Sequence, residues 1–140
     1  MYYFAYGSNM NLDQMKIRCP DSIFIRRVFL TGYRFVYDGK SYSRRGGVAN
    51  IVKSAEDIVW GGLFEITESC LKNLDEYEGY PSFYDRKEFQ VQDDERNFFN
   101  AIAYYRTGKV PSEPSSSYRQ EVIQGARDCG LPEEYIKENL

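Results

Sequence analysis

Histidine is absent from this chain of 140 residues. That excludes Ser-His-Asp and Cys-His catalysis, His-ligated metals and an imidazole proton shuttle. Any acid–base work falls to carboxylates, Lys, Tyr or Cys. Cysteine is scarce. The three present, Cys19, Cys70 and Cys129, lie far apart and form no CxxC pair, so neither a zinc site nor a thioredoxin-like motif is indicated. Their odd number and scatter predict separate thiols, packed as small core residues in a reducing compartment. No carboxylate cluster has calcium or magnesium spacing, and neither GxxxxGK[ST] nor GxGxxG occurs.

Long apolar runs are missing too. No stretch approaches the roughly eighteen residues of a membrane span. The opening Met1-Tyr2-Tyr3-Phe4-Ala5-Tyr6 has neither the charged start nor the apolar core of a leader, so the cytoplasm is the expected location. A surplus of positive charge is also lacking. Lys plus Arg number 18 against 21 Asp plus Glu, a net charge of −3. No basic field exists to hold a phosphate backbone, which argues against nucleic-acid binding.

What the chain does have is aromatic rings: 13 Tyr, 9 Phe and one Trp. With 42% hydrophobic and 28% charged residues, residues 1–140 read as one soluble globular domain. Nothing in the composition decides between monomer and homodimer.

Tyr2 to Tyr6 reads as a buried strand that ends at Gly7. Ser8-Asn9-Met10-Asn11 offers several N-caps for a short helix carrying Leu12, Met15 and Ile17, stopped by Pro20. Ile23 to Tyr37 is two strands or one bent strand, and Asp38 to Gly47 is a polar loop. Val48 to Val52 and Ile58 to Ile66 read as two further strands. Thr67 caps a helix with Leu71 and Leu74 on one face, broken at Gly79-Tyr80-Pro81. Tyr84 to Val91 and Phe98 to Arg106 form a hairpin across the turn Asp93–Asn97. Tyr118 to Arg127 has helical spacing and stops at Gly130-Leu131-Pro132. A last short helix follows to Leu140. The sum is an α+β fold: six or seven short strands with flanking helices, able to curl into a barrel.

Two segments have the residues for chemistry. In Tyr3-Phe4-Ala5-Tyr6-Gly7-Ser8-Asn9-Met10, a strand feeds a Gly turn and then a helix start. Such a turn presents backbone N–H groups to a carboxylate or an oxyanion. A plain strand–turn–helix capped by Ser8 or Asn9 explains the same residues. In Leu74-Asp75-Glu76-Tyr77-Glu78-Gly79, Glu78 is the last residue before the turn, beside Tyr77, Tyr80, Phe83 and Tyr84. A carboxylate among rings is desolvated, which raises its pKa toward the range of a general base. The alternative is an acidic, solvated helix end, with Asp75 pairing to Lys72 or Arg86. Tyr104, Tyr105 and Tyr118 are further candidates for a polar contact, with alternation placing Tyr104 and Tyr105 on opposite faces. Arg26-Arg27 and Arg44-Arg45 read as solvated pairs.

These two segments resemble the gamma-glutamylcyclotransferases. Tyr3 to Met10 is similar to their N-terminal signature, and Leu74 to Gly79 to the segment with their catalytic glutamate. Val59-Trp60-Gly61-Gly62-Leu63-Phe64 resembles their central strand. Ser117-Tyr118, Gly125-Ala126 and Gly130-Leu131-Pro132-Glu133-Glu134-Tyr135 resemble their C-terminal helix and exit. The anchors follow the family order over nearly the whole chain. The resemblance implies a small twisted mixed barrel that needs no metal or cofactor. It implies release of 5-oxoproline from a small γ-glutamyl substrate. By matched position, Glu78 is the acid–base residue. Tyr3, Phe4, Ala5, Tyr6, Gly7, Ser8 and Asn9 cradle the glutamyl moiety, and Tyr118 contacts substrate. The Asn9-Met10 ending resembles the branch acting on γ-glutamyl amino acids. Two other readings stay open: the same site working on a γ-glutamylamine or another biosynthetic amide, or a non-catalytic module that binds an acidic metabolite.

Overall fold

The computed structural model describes residues 1–140. Its centre is a closed barrel of strands in the order β1-β3-β2-β4-β5. The first strand, β1 (Tyr2–Ala5), is antiparallel to β3 (Gly46–Glu65), with Tyr2 opposite Glu65 and Ala5 opposite Gly62. Its other edge runs parallel to β5 (Phe98–Tyr105), which makes the barrel mixed. β2 (Ile23–Ser41) pairs with β3, and β4 (Asp85–Gln92) pairs with β5. β2 meets β4 at a single register pair, Phe29 with Gln92, which closes the barrel.

The strand count is five rather than six or seven. Ile23–Ser41 is one bent strand of 19 residues, and Gly46–Glu65 is one strand of 20 that absorbs both segments read separately from sequence. Register shifts at Phe24/Arg26, Thr31/Tyr33 and Asp38/Ser41 bend this pair without breaking it. An extra residue on one strand coils the ladder, which lets two long strands wrap a small barrel. Asp38 to Gly47 is therefore no free loop: β2 runs to Ser41 and β3 starts at Gly46. The turn between them carries Tyr42, 92% exposed at its tip.

Four α-helices flank the barrel. A 3₁₀ turn (Ser8–Met10) leads from β1 into α1 (Leu12–Arg18), whose N-cap Asn11 accepts from the Gln14 N–H at 3.1 Å. In α2 (Glu68–Glu78), Thr67 accepts from the Cys70 N–H at 3.1 Å. That helix ends on Gly79 at φ 66, a left-handed position where glycine carries no Cβ penalty. α3 (Ser116–Asp128) and α4 (Glu133–Asn139) complete the shell. The core includes Phe4, Val28, Val59, Leu63 and Val91 in strands and Leu74 and Val122 in helices, all buried. No helix is long and apolar enough to cross a membrane.

The cysteine expectation needs correction. Cys19 and Cys70 are disulfide-bonded, tying the end of α1 to the first turn of α2, and only Cys129 is a free thiol. A separation of 51 residues in sequence says nothing about this; the packing of α1 beside α2 does. The cysteine count therefore gives no argument for a reducing compartment. Cys129 behaves as a small core residue: it is buried, and its thiol is pushed up to about 12, chiefly by burial and then by Asp128.

Candidate active site

β1 delivers its chain end to the mouth of the barrel, where the 3₁₀ turn, the ends of α1 and α2, the β2–β3 hairpin tip and α3 meet. They enclose a cavity of about 1010 Å³. Gly7 is required at its wall, because a Cβ there would meet the Ala49 Cβ at 2.9 Å. Ser8 and Asn9 open the 3₁₀ turn, so their N–H groups have no partner within it.

Glu78 ends α2, and the left-handed Gly79 turns the chain away immediately after it. Its carboxylate faces the cavity with 17% of the side chain exposed. No protein group hydrogen-bonds it; Arg18 Nη1, at 3.7 Å from Oε1, is the nearest cation. Burial pushes the Glu78 carboxyl up to about 7, while Arg18, then Arg44 and Arg106, pull it down. Near neutral pH it is poised between acid and base.

The surrounding hydroxyls are of two kinds. Some are consumed by the scaffold. Tyr6 donates to the Tyr104 carbonyl at 2.5 Å, and Tyr84 donates to the Ala49 carbonyl at 2.6 Å. Tyr104 donates to Asp75 Oδ1 at 2.7 Å, and Asp75 also accepts from Arg86 Nε at 2.8 Å. The others accept but have no protein acceptor for their own proton. Tyr3 accepts from the Asn9 side-chain amide at 2.9 Å, and Tyr118 accepts from the Ala49 N–H at 3.0 Å. Burial is the largest influence raising both phenols, Tyr118 to about 12, so they hold their protons and can donate to a ligand.

Among the residues expected from sequence, Glu78, Tyr3, Tyr6, Gly7, Ser8, Asn9 and Tyr118 line this one cavity. Phe4 and Ala5 do not. Phe4 is fully buried with its ring against Gly61, and Ala5 is paired to Gly62 within the ladder. They hold the strand in place and touch no open space. Tyr104 lines the cavity while Tyr105 points away, its hydroxyl on Asp85 at 3.3 Å. Strand alternation makes that choice. Asp75 pairs with Arg86, not Lys72.

Sequence reasoning missed the cations. Arg18 donates to Asn9 Oδ1 at 3.1 Å and stacks over Tyr77 at 4.4 Å. Gln14 joins the same amide at 3.0 Å and also donates to Ser8 Oγ at 2.9 Å. Gln14 and Arg18 stand four apart on α1, so one helical face carries both, a spacing that was legible. Arg44, read as half of a solvated pair, instead lies 5.1 Å over the Tyr118 ring and pairs with Glu121 at 2.6 Å. Arg26 and Arg27 do sit outside, paired with Asp93 at 3.0 Å and Asp94 at 2.7 Å.

A model of the AIG2-like family matches residues 58–138. Gamma-glutamylcyclotransferase of Mus musculus is 33% identical over 138 residues, 95% of this chain and 73% of that protein. The chain belongs to the AIG2-like, gamma-glutamylcyclotransferase family. The human gamma-glutamylcyclotransferase is 34% identical over 138 residues, again 95% of this chain and 73% of its own length. A solved gamma-glutamyl cyclotransferase structure superposes with a TM-score of 0.93 at 31% identity, covering 99% of this chain and 85% of that one. That solved structure thus shares the fold of this barrel over nearly the full length of the present chain.

Proposed function

We propose that this protein is a gamma-glutamylcyclotransferase that closes a γ-glutamyl amino acid to 5-oxoproline and releases the free amine, with Glu78 as general acid and base. The observation that carries the reading is the Glu78 carboxylate, facing the cavity with no hydrogen-bond donor from the protein and its pKa raised to about 7.

The reaction suits such a site. The substrate's own α-amine attacks its γ-carbonyl, so the nucleophile is already tethered. Orientation is then the main task. Glu78 takes a proton from the α-amine as the C–N bond of the lactam forms. It returns that proton to the leaving nitrogen as the original amide C–N bond breaks. The N–H groups of Ser8 and Asn9, with the free protons of the Tyr3 and Tyr118 hydroxyls, supply donors for the α-carboxylate and the developing oxyanion. Arg18 keeps Glu78 ionisable and is itself aimed by Asn9. All of these groups come from one chain, so the chemistry is complete in a monomer or a homodimer. The reading includes a cytoplasmic place of work.

The test is 5-oxoproline formation by the purified protein from γ-glutamyl amino acids, glutathione and γ-glutamyl-lysine, with no added metal. Product from the γ-glutamyl amino acids is expected. Saturable binding without product would replace the enzyme with a binding module. Product confined to γ-glutamyl-lysine would move the substrate to the amine class.

Arg18 gives a prediction on pH. Its cation favours the Glu78 carboxylate, so removing it raises a pKa already near 7. In Arg18→Gln the acidic limb of kcat/KM, which reports the free enzyme, moves to higher pH. Activity at neutral pH falls and recovers in alkali. Arg18→Lys keeps the charge and holds the limb close to its original position. A limb unmoved in Arg18→Gln would remove Arg18 from this role.

A further inference from the structure

The cavity holds three cations, Arg18, Lys40 and Arg44. The arginines are engaged: Arg18 with Asn9 and Glu78, Arg44 with Glu121 and Gln14. Lys40 is exposed, and its ammonium makes neither an ion pair nor a hydrogen bond. It sits at the end of β2, on the hairpin that borders the open side of the cavity.

That side is where a leaving group must go. The buried wall is built of Tyr3, Tyr84 and Tyr118, close to the Gly7 turn. A glutamyl part held against this wall would place the amine side of the amide outward, under the hairpin. Lys40 also lines a neighbouring depression of about 910 Å³, together with Lys109 and a single carboxylate, Asp85. Arg106 lies in its wall too, but its charge is met by Asp38 at 2.9 Å. Glu76, the one acidic residue of the cavity besides Glu78, is on the exposed face of α2. The uncompensated charge on the hairpin side is therefore positive, and it favours an anionic leaving group.

We propose that Lys40 is a specificity-determining residue that reads the carboxylate of the leaving amino acid. The inference rests on the cyclotransferase reading and deepens it. Amino-acid leaving groups are selected over plain amines because they alone bring a carboxylate to Lys40. The ammonium is a single solvated charge, so the preference should be modest and should shrink as salt is added.

The matched substrates are γ-glutamyl-alanine and γ-glutamyl-ethylamide, whose leaving groups differ only in that carboxylate. The wild-type protein should prefer the first in kcat/KM by about two- to fivefold, the range of one solvated ion pair. Lys40→Gln should collapse the ratio toward unity, with the change carried by KM for γ-glutamyl-alanine. Lys40→Arg should retain it. Arg45→Gln, a neutralisation at a neighbouring exposed residue outside both cavities, controls for loss of general field and should keep the ratio. A wild type that turns over both substrates equally would overturn the inference and leave the reaction standing. An undiminished preference in Lys40→Gln would do the same. No 5-oxoproline from either substrate would instead overturn the cyclotransferase reading on which the inference rests.

Discussion

Glu78→Gln should lower kcat/KM by about 10²–10⁴-fold, the usual contribution of a positioned acid–base group. The substitution keeps size and shape and removes only the titrating oxygen. No internal hydrogen bond is lost, because the protein donates none to this carboxylate. Nor is stability at risk, since a desolvated carboxylate gains little from being charged there. Thermal unfolding should therefore give a melting temperature equal to or above that of the parent. The residual activity should also lose the acidic limb near pH 7. Activity within a few-fold of the parent would sink the assigned role. A lowered melting temperature alongside the loss would mean that the variant reports on folding, and Glu78→Asp would then separate reach from charge.

Arg106→Met should destabilise the fold by about 3–5 kcal/mol, the cost of stranding one member of a buried ion pair. The stranded partner is Asp38. Its side chain is 2% exposed and that of Arg106 is 4% exposed, with Arg106 Nη2 at 2.9 Å from Asp38 Oδ1. That oxygen receives no directed hydrogen bond, and Arg106 Nε has none either. The pair is held by charge proximity, so a lost cation is not made good by a neighbour. Asp38 Oδ2 does have support, from the Lys109 N–H at 3.0 Å and the Asn50 amide at 3.2 Å. The double variant Asp38→Asn with Arg106→Met should be more stable than Arg106→Met alone, because the uncompensated charge is gone. Denaturant unfolding measures both. A cost under about 1 kcal/mol in the single variant, the range of solvated pairs, would refute the buried-pair argument. The effect should reach the active site as well. Arg106 donates to the carbonyls of Val48 and Ala49 at 3.3 and 3.4 Å and lies 4.8 Å over the Tyr84 ring. Ala49 in turn is the backbone partner of both Tyr84 and Tyr118.

The local punctuation of the fold was legible in the residues. Thr67 as N-cap, Gly79 as helix stop, a cap among Ser8 to Asn11 and the hairpin across Asp93–Asn97 are all where the sequence places them. These are short-range effects: a side chain reaches an N–H three residues on, or a glycine accepts a left-handed turn. The zero count of histidine likewise limited the chemistry before any fold was known. The segment holding Glu78 could be singled out because a carboxylate beside four aromatic residues and a Gly-Tyr-Pro break is unusual in local composition alone.

The tertiary structure decided what depends on distant chain segments meeting. It merged Val48–Val52 and Ile58–Ile66 into one strand, because bulges in β2 and β3 are fixed by pairing and not by propensity. It bonded Cys19 to Cys70 across 51 residues. It turned Tyr3 toward the cavity and set Phe4 and Ala5 to scaffolding, a choice made by register. It drew Arg18, Arg44 and Arg106 toward Glu78 from three separate parts of the chain. Residue type and spacing determine which groups are available and how each helix starts and stops. The carboxylate's shifted pKa and its neighbouring cations arise only when closure of the barrel brings those groups out of water and within a few ångströms of one another.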